Sequence, residues 1–301
     1  MLPSFIIAGT LPAGTGHLYS LLVQHPEVYL PRPMQPECNF FFKSDDYERG
    51  IEHYGERWFA EVSGEKAIGE RSSLLLSGGE RVAARVAKHL PQVKLIFLLR
   101  DPVLRAYANY RFTALAGHED LDFETALARE EERMESARQR SRFWGEIQPH
   151  AYFSRGRYAE QLAAFQARFP AEQLLIMRSD ELHKSYEETM TRLWRFLGVD
   201  ESFRPGPVPD FSSPAVRDVK AQAALRAEAP QAFDAAIQRV REGSPPADDF
   251  ETRVRENLQQ GYEPLADSIR ADLAARYREP NRRLATRVSF PMNDWLGVDS
   301  Q

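Results

Sequence analysis

The segment QVKLIFLLRDP, Gln92–Pro102, limits the fold more than any other stretch of the chain. Five consecutive apolar residues, Leu95 to Leu99, stand between Lys94 and Arg100. A strand with one wet face alternates apolar and polar side chains, whereas an unbroken apolar run has both faces buried, as in a parallel sheet covered by helices. The segment therefore reads as a central parallel strand. SFIIAG, KAIGERS and QLLIMRSDEL read as further strands. Helical patterns alternate with them: GHLYSLLVQHP, GGERVAARVAKHLP with Val82, Val86 and Leu90 at helical spacing, VLRAYANYRFTAL, DFETALAREEERMESARQR, and SYEETMTRLWRFLGV ending at Gly198. Strands alternating with helices predict an α/β fold around a parallel sheet.

The texture changes between about 200 and 250. FRPGPVPDFSSP and REGSPPADD are rich in proline, glycine and serine and flank a helical stretch, and the tail FETRVRENLQQGYEPLADSIRADLAARY reads as one or two helices. No repeat and no clear linker appear, so the expectation is a single domain over 1–301 with a loop-rich elaboration at about 200–250. A chain of 301 residues buries a substantial core, and 43% hydrophobic with 28% charged residues is ordinary for a soluble protein. A net charge of −5 gives no field for holding nucleic acid. No stretch approaches the roughly 20 apolar residues of a membrane span, and Phe5 to Ala8 is too short for a signal peptide. Cys38 is alone, which fits a reducing compartment and makes cytoplasmic the default expectation. Oligomeric state is not legible.

The chemistry concentrates in IIAGTLPAGTGHLYSLL, residues 6–22. A buried strand runs into a glycine turn and then into a helix. In an open parallel sheet such a turn lies at the carboxyl end of the strands, where ligands bind. Its main-chain N–H groups and the helix N-terminus suit an anion, and Thr15 adds a hydroxyl. Gly9 and Gly14 satisfy the glycine spacing of a Walker A loop, but Thr15 and Gly16 occupy the Lys and Ser/Thr positions, which argues against an ordinary ATPase or GTPase. The alternative is a plain strand–helix turn. A second constellation, FLLRDPVLRAYANY, puts Arg100 at the end of the apolar strand with Arg105 and Tyr110 on the following helix. Arginine there pairs bidentately with phosphate, or forms a surface ion pair with a carboxylate such as Asp101.

Together these pieces resemble the sulfotransferases that use 3′-phosphoadenosine-5′-phosphosulfate (PAPS), in the branch with heparan and bacterial carbohydrate sulfotransferases. The family loop P-K-[AS]-G-T-[TS]-x-L, which binds the 5′-phosphosulfate, is matched by Leu11-Pro12-Ala13-Gly14-Thr15-Gly16-His17-Leu18. The motif R-[DN]-P-x-x-R-A-x-S-x-Y, which binds the 3′-phosphate, is matched from Arg100 to Tyr110. YSLLVQHPEVYLPR, residues 154–177 and EPNRRLATRV (279–288) are similar to other family segments. The resemblance implies a P-loop-like three-layer fold with a central parallel sheet of about five strands. It also implies sulfuryl transfer from PAPS to a hydroxyl or amine of a small-molecule or glycan acceptor, leaving PAP, with no metal.

This sequence departs from the pattern twice. Pro12 stands at the family lysine, and Ala108 at the serine of the second motif. Losing a cation that faces developing charge costs a few kcal/mol in a water-poor site, and proline also removes an N–H. His17, if protonated, and Arg71 are the candidates for compensation. The resemblance of Gly69-Glu70-Arg71-Ser72 to a G-E-K-S segment makes Glu70 the candidate base, against a strand-end salt bridge to Arg71 or Arg100. The expected site is thus Glu70, Arg71 and His17 for catalysis, with Pro12, Ala13, Gly14, Thr15, Gly16, His17, Arg100 and Ala108 around the donor. The other six histidines show no metal-ligand spacing. Glu130, Glu131 and Glu132 read as a solvated helix face, and NFFF (39–42) and Trp144 as aromatic core or acceptor cleft. The alternatives are a degenerate protein that binds PAPS or PAP without turnover, and a nucleotide-dependent kinase on a related P-loop fold.

Overall fold

A computed structural model describes residues 1–209, 213–261 and 263–297 of the chain. Its residues form two compact units. The first comprises 1–102, 157–209 and 276–297, and the second 103–156, 213–261 and 263–275. The stretch expected as an elaboration on one domain is divided between them, and Asp210, Phe211 and Ser212 of FRPGPVPDFSSP lie outside the described residues.

The first unit holds a five-stranded sheet: β1 (Phe5–Ile7), β2 (Val28–Tyr29), β3 (Ala67–Arg71), β4 (Lys94–Leu99) and β5 (Leu174–Arg178). Their order is β2-β3-β1-β4-β5, and every pairing is parallel. The apolar run Leu95–Leu99 is wholly buried, as its pattern requires. It is not the middle strand, however; β1 is, with β4 beside it toward β5. Hydrophobicity reports coverage of both faces, and any interior strand of a covered sheet has that. Strand β2 was not expected, because two residues are too short to carry a period.

Side-chain alternation sends each strand into two cores. On one face Phe5, Ile7, Ile96 and Leu98 pack against Leu18, Leu21 and Leu22 of the helix Thr15–Leu22 and against Met190, Leu193 and Trp194 of Tyr186–Leu197. On the other, Phe97 meets Phe165 of the helix Tyr158–Gln166 edge-on at 5.1 Å between ring centroids. NFFF is aromatic core: Phe40, Phe41 and Phe42 are all buried. Helices on both faces make this unit a three-layer α/β structure.

The second unit is helical around Leu115, Leu225, Phe233, Ala236, Ile237 and Val254. It includes a small antiparallel pair that was not expected, β6 (Ala215–Val216) with β7 (Leu258–Gln259). The charged helical stretch after Asp122 is two helices, Phe123–Ala128 and Glu130–Arg140; Asp122 caps the first by accepting from Thr125 N at 2.9 Å. Glu130 is not solvated as expected but buried, accepting from the backbone N–H of Phe153 (2.6 Å) and Ser154 (2.8 Å). Arg105 is fully buried and donates to Asn109 Oδ1 at 3.1 Å and to the Tyr152 carbonyl. Arg155 shares Asn109 Oδ1 at 2.9 Å.

Candidate active site

The glycine turn lies at the carboxyl edge of the sheet because the β1 ladder ends there. Ala8 N donates to Ile96 O (2.8 Å), Thr10 N to Leu98 O (2.9 Å) and Leu98 N to Gly9 O (2.8 Å). Beyond Thr10 the chain leaves the ladder and enters the helix at Thr15. Two glycines are required. Gly9, at φ +122°, passes so close to the turn after β3 that a Cβ would sit 3.0 Å from Ser73 O. Gly14, at φ +84°, is a left-handed residue facing open space at the helix start.

The helix Thr15–Leu22 has neither a side-chain N-cap nor an acidic residue in its first turn. The helices starting at Phe123, Val219 and Asp249 are each capped by an aspartate. An uncapped N-terminus keeps its N–H groups and positive dipole end for an anion. Thr10 Oγ1, buried at the turn, also has no hydrogen-bond partner among the described residues. Ala13 and Thr15 are buried, and Gly14 is exposed.

Arg100 follows β4 two residues after Leu98, the ladder partner of Gly9 and Thr10, so it shares the sheet edge with the turn. Tyr158 fixes its backbone, donating from Oη to Arg100 O at 2.8 Å. Its guanidinium has no hydrogen-bond or ion-pair partner among the described residues, so the expected alternative of a salt bridge to Asp101 or Glu70 is not what the structure contains. Ala108 lies within the helix Pro102–Leu115, in the second unit. Tyr110 donates to Leu121 O at 3.0 Å in that unit.

Glu70 and Arg71 are neighbours on β3, and a strand sends neighbours to opposite faces. Glu70 is 0% exposed. Ser72 Oγ lies 3.0 and 2.8 Å from its two carboxylate oxygens, and Cys38 and Tyr54 stand against it. Burial pushes its pKa up to about 7, against the hydrogen bond from Ser72. Arg71 pairs with a carboxylate that sequence reasoning missed, Glu37, at 2.9 Å, and donates to Met34 O at 3.3 Å. Glu37 Oε2 further accepts from Ser73 N (2.9 Å), Ser73 Oγ (2.6 Å) and Asn39 Nδ2 (3.2 Å). The Glu37 side chain is 12% exposed, unlike Glu70. Its only signal in the sequence is one acidic residue ahead of an aromatic run.

His17 stands in the first turn of the helix, half-buried, its ring 5.0 Å from that of His183. Burial first, and the second imidazole next, lower its pKa below the usual 6.5. The imidazole is therefore neutral at pH 7 and supplies no cation in this state. The spacing of the histidines gave no sign of this pair, because His183 comes from the segment after β5.

Residues 2–210 match the model of a family described as a sulfotransferase domain. The human bifunctional heparan sulfate N-deacetylase/N-sulfotransferase 3 is 30% identical over 200 residues, 66% of this chain and 22% of that protein. The mouse heparan sulfate glucosamine 3-O-sulfotransferase 3B1 is 28% identical over 198 residues, 66% of this chain and 46% of that one. This chain thus spans about a fifth to a half of the length of these relatives. A crystal structure of a sulfotransferase from Alicyclobacillus acidocaldarius is similar with a TM-score of 0.59 and 26% identity, covering 82% of this chain and 98% of its own. The parallel five-stranded sheet, the glycine turn at its edge and these similarities lead to one statement: the chain belongs to the sulfotransferase domain family.

Proposed function

We propose that this chain transfers a sulfuryl group from PAPS to a hydroxyl or amine of a saccharide or other small acceptor. The observation that carries the reading is the placement, on one sheet edge, of an uncapped glycine turn and an arginine without an internal partner. The turn amides from Ala13 to Gly16, with Thr15, would hold the 5′-phosphosulfate, and Arg100 the 3′-phosphate. Pro12, which has no N–H, offers no donor there, and Ala108 has no side-chain donor. PAPS supplies an activated sulfuryl group and a leaving phosphate that gains charge. N–H donors at the helix start meet that charge where it develops.

For the base we favour Glu37 over Glu70. A base must come within hydrogen-bond reach of the acceptor. Glu70 is sealed from solvent, whereas Glu37 is partly exposed and held in a set orientation by Arg71 and Ser73. Glu37 takes the acceptor's proton as the acceptor oxygen or nitrogen bonds to sulfur. Arg71 orients Glu37 rather than replacing the missing lysine, and His17 supports the donor as a neutral hydrogen-bonding group. The heparan sulfate names of the relatives support a saccharide acceptor. A reducing, cytoplasmic setting belongs to the same reading, with Cys38 a buried free thiol.

Calorimetry with PAP and with ATP, followed by labelled-sulfate transfer from PAPS to heparan sulfate oligosaccharides and small alcohols, tests this. The expected outcome is PAP binding much tighter than ATP, and transfer that falls roughly 10²–10⁴-fold in Glu37→Gln with PAP affinity unchanged. PAP binding no tighter than ATP would overturn the reading. Pro12 in place of the lysine favours one other outcome, tight PAP binding without transfer to any acceptor, which would make the chain a binding protein.

A further inference from the structure

We propose that Glu70 is a positioning residue, which through Ser72 fixes the backbone at Asn39 and so seats Glu37 against Arg71. This rests on the reading of Glu37 as the base. The chain of contacts is short and entirely within the first unit. Ser72 Oγ donates to the Glu70 carboxylate and accepts from Asn39 N at 2.8 Å. Asn39 adopts a left-handed backbone, φ 47°, which asparagine tolerates better than most residues. It holds Glu37 Oε2 through Nδ2 at 3.2 Å and accepts from Leu74 N through Oδ1 at 3.4 Å. Cys38, between Glu37 and Asn39, turns its thiol to the same buried carboxylate. Glu37 and Glu70 therefore lie at the two ends of one hydrogen-bonded loop, one partly exposed and one sealed.

A fully buried carboxylate with no cationic partner among the described residues is expensive, and a structural role would be served by an apolar residue. Charge gives the site a direction instead. An ionised Glu70 only accepts, so Ser72 must point its hydroxyl hydrogen inward, which leaves both its lone pairs open toward Asn39 N. A protonated Glu70 can itself donate to one lone pair of Ser72 Oγ, which releases the Ser72 hydroxyl hydrogen from the carboxylate and leaves Asn39 N the other lone pair only. The groups facing Glu70 are Glu37 and Cys38 from the loop and Tyr54 from the helix Ile51–Phe59. Burial and the Glu37 charge both favour the protonated form, and the changeover falls at about pH 7. The seat of the base is then firm above neutrality and loose below it.

Glu70→Gln and Ser72→Ala test this, each read in two ways. A crystal structure of each variant with PAP should show the Glu37 carboxylate beyond ion-pair distance of Arg71. The pH–rate profile of PAPS-dependent transfer to a heparan sulfate oligosaccharide should lose the inflection near pH 7, with kcat down roughly tenfold and PAP affinity within about twofold. The double variant should be no slower than the worse single one. Variants in which Glu37 stays on Arg71 and the profile matches wild type would overturn the proposal. If Glu70→Gln does not fold, Ser72→Ala carries both readouts. Failure of the wild type to bind PAP would strike the sulfotransferase reading instead, and the crystal structure, soaked or not, would still decide the positioning role.

Discussion

Arg71 ends β3 and Arg100 follows β4, the strands on either side of β1, and the two side chains are in opposite states. Arg71 is committed: its guanidinium pairs with Glu37 at 2.9 Å and reaches the Met34 carbonyl. Arg100 is uncommitted: its backbone is tied down by Tyr158 while its guanidinium meets no partner among the described residues. The first arginine is part of the fold, and in the proposed reading it acts only through the carboxylate it holds. The second makes no side-chain hydrogen bond or ion pair among the described residues that the fold would lose, and in the proposed reading it is the one that holds the donor. Residue type alone puts both in one category, and their partners separate them.

The comparison breaks most readily on stability. Arg71→Ala leaves Glu37 with its charge and without its cation, and should destabilise the protein by about 3 kcal/mol in urea unfolding. Arg100→Ala should stay within about 0.5 kcal/mol. Equal losses would erase the distinction. The sealed face of the same strand gives the next effect. Glu70 has a folded pKa of about 7 against an ordinary 4.5, so its protonated form is the one the fold prefers. Stability from this group is complete below about pH 4.5 and is lost as pH rises through 7, on the order of 3 kcal/mol. Glu70→Gln should flatten that slope in thermal melts across pH 4.5–8. Binding then inverts the order of the arginines. Arg100→Ala should weaken PAP by roughly 10–100-fold in calorimetry, the size of a charge-assisted bidentate contact, while Arg71→Ala changes it by about threefold at most. The smallest effect belongs to His17→Ala, with PAP affinity at pH 7 within about twofold of wild type, because a neutral imidazole is lost. A larger loss there would mean that the bound donor protonates it.

How much of this was legible varied with the kind of signal. The apolar run Leu95–Leu99 announced a covered parallel strand, and Gly9, Gly14 and Arg100 were marked by backbone geometry and by position at a strand end. Position within the sheet was not marked, since β1 and β4 are both interior and equally apolar. Glu70 and Arg71 stood out as neighbours at a strand end, and Ser72 lies two residues from Glu70, but Cys38 beside Glu70 and Glu37 beside Arg71 come from a distant upstream loop whose path no local pattern encodes. The His17–His183 pair was hidden for the same reason.

By itself the sequence determined the layer architecture, the anion-suited turn and the arginine beside it, because hydrophobic period, glycine backbone freedom and strand-end placement are properties of neighbours along the chain. Tertiary structure alone decided which carboxylate is sealed and which is partly exposed, and which guanidinium is spoken for. Exposure and pairing depend on what the rest of the chain brings to a side chain, and a strand's alternation turns adjacent residues such as Glu70 and Arg71 toward entirely different company.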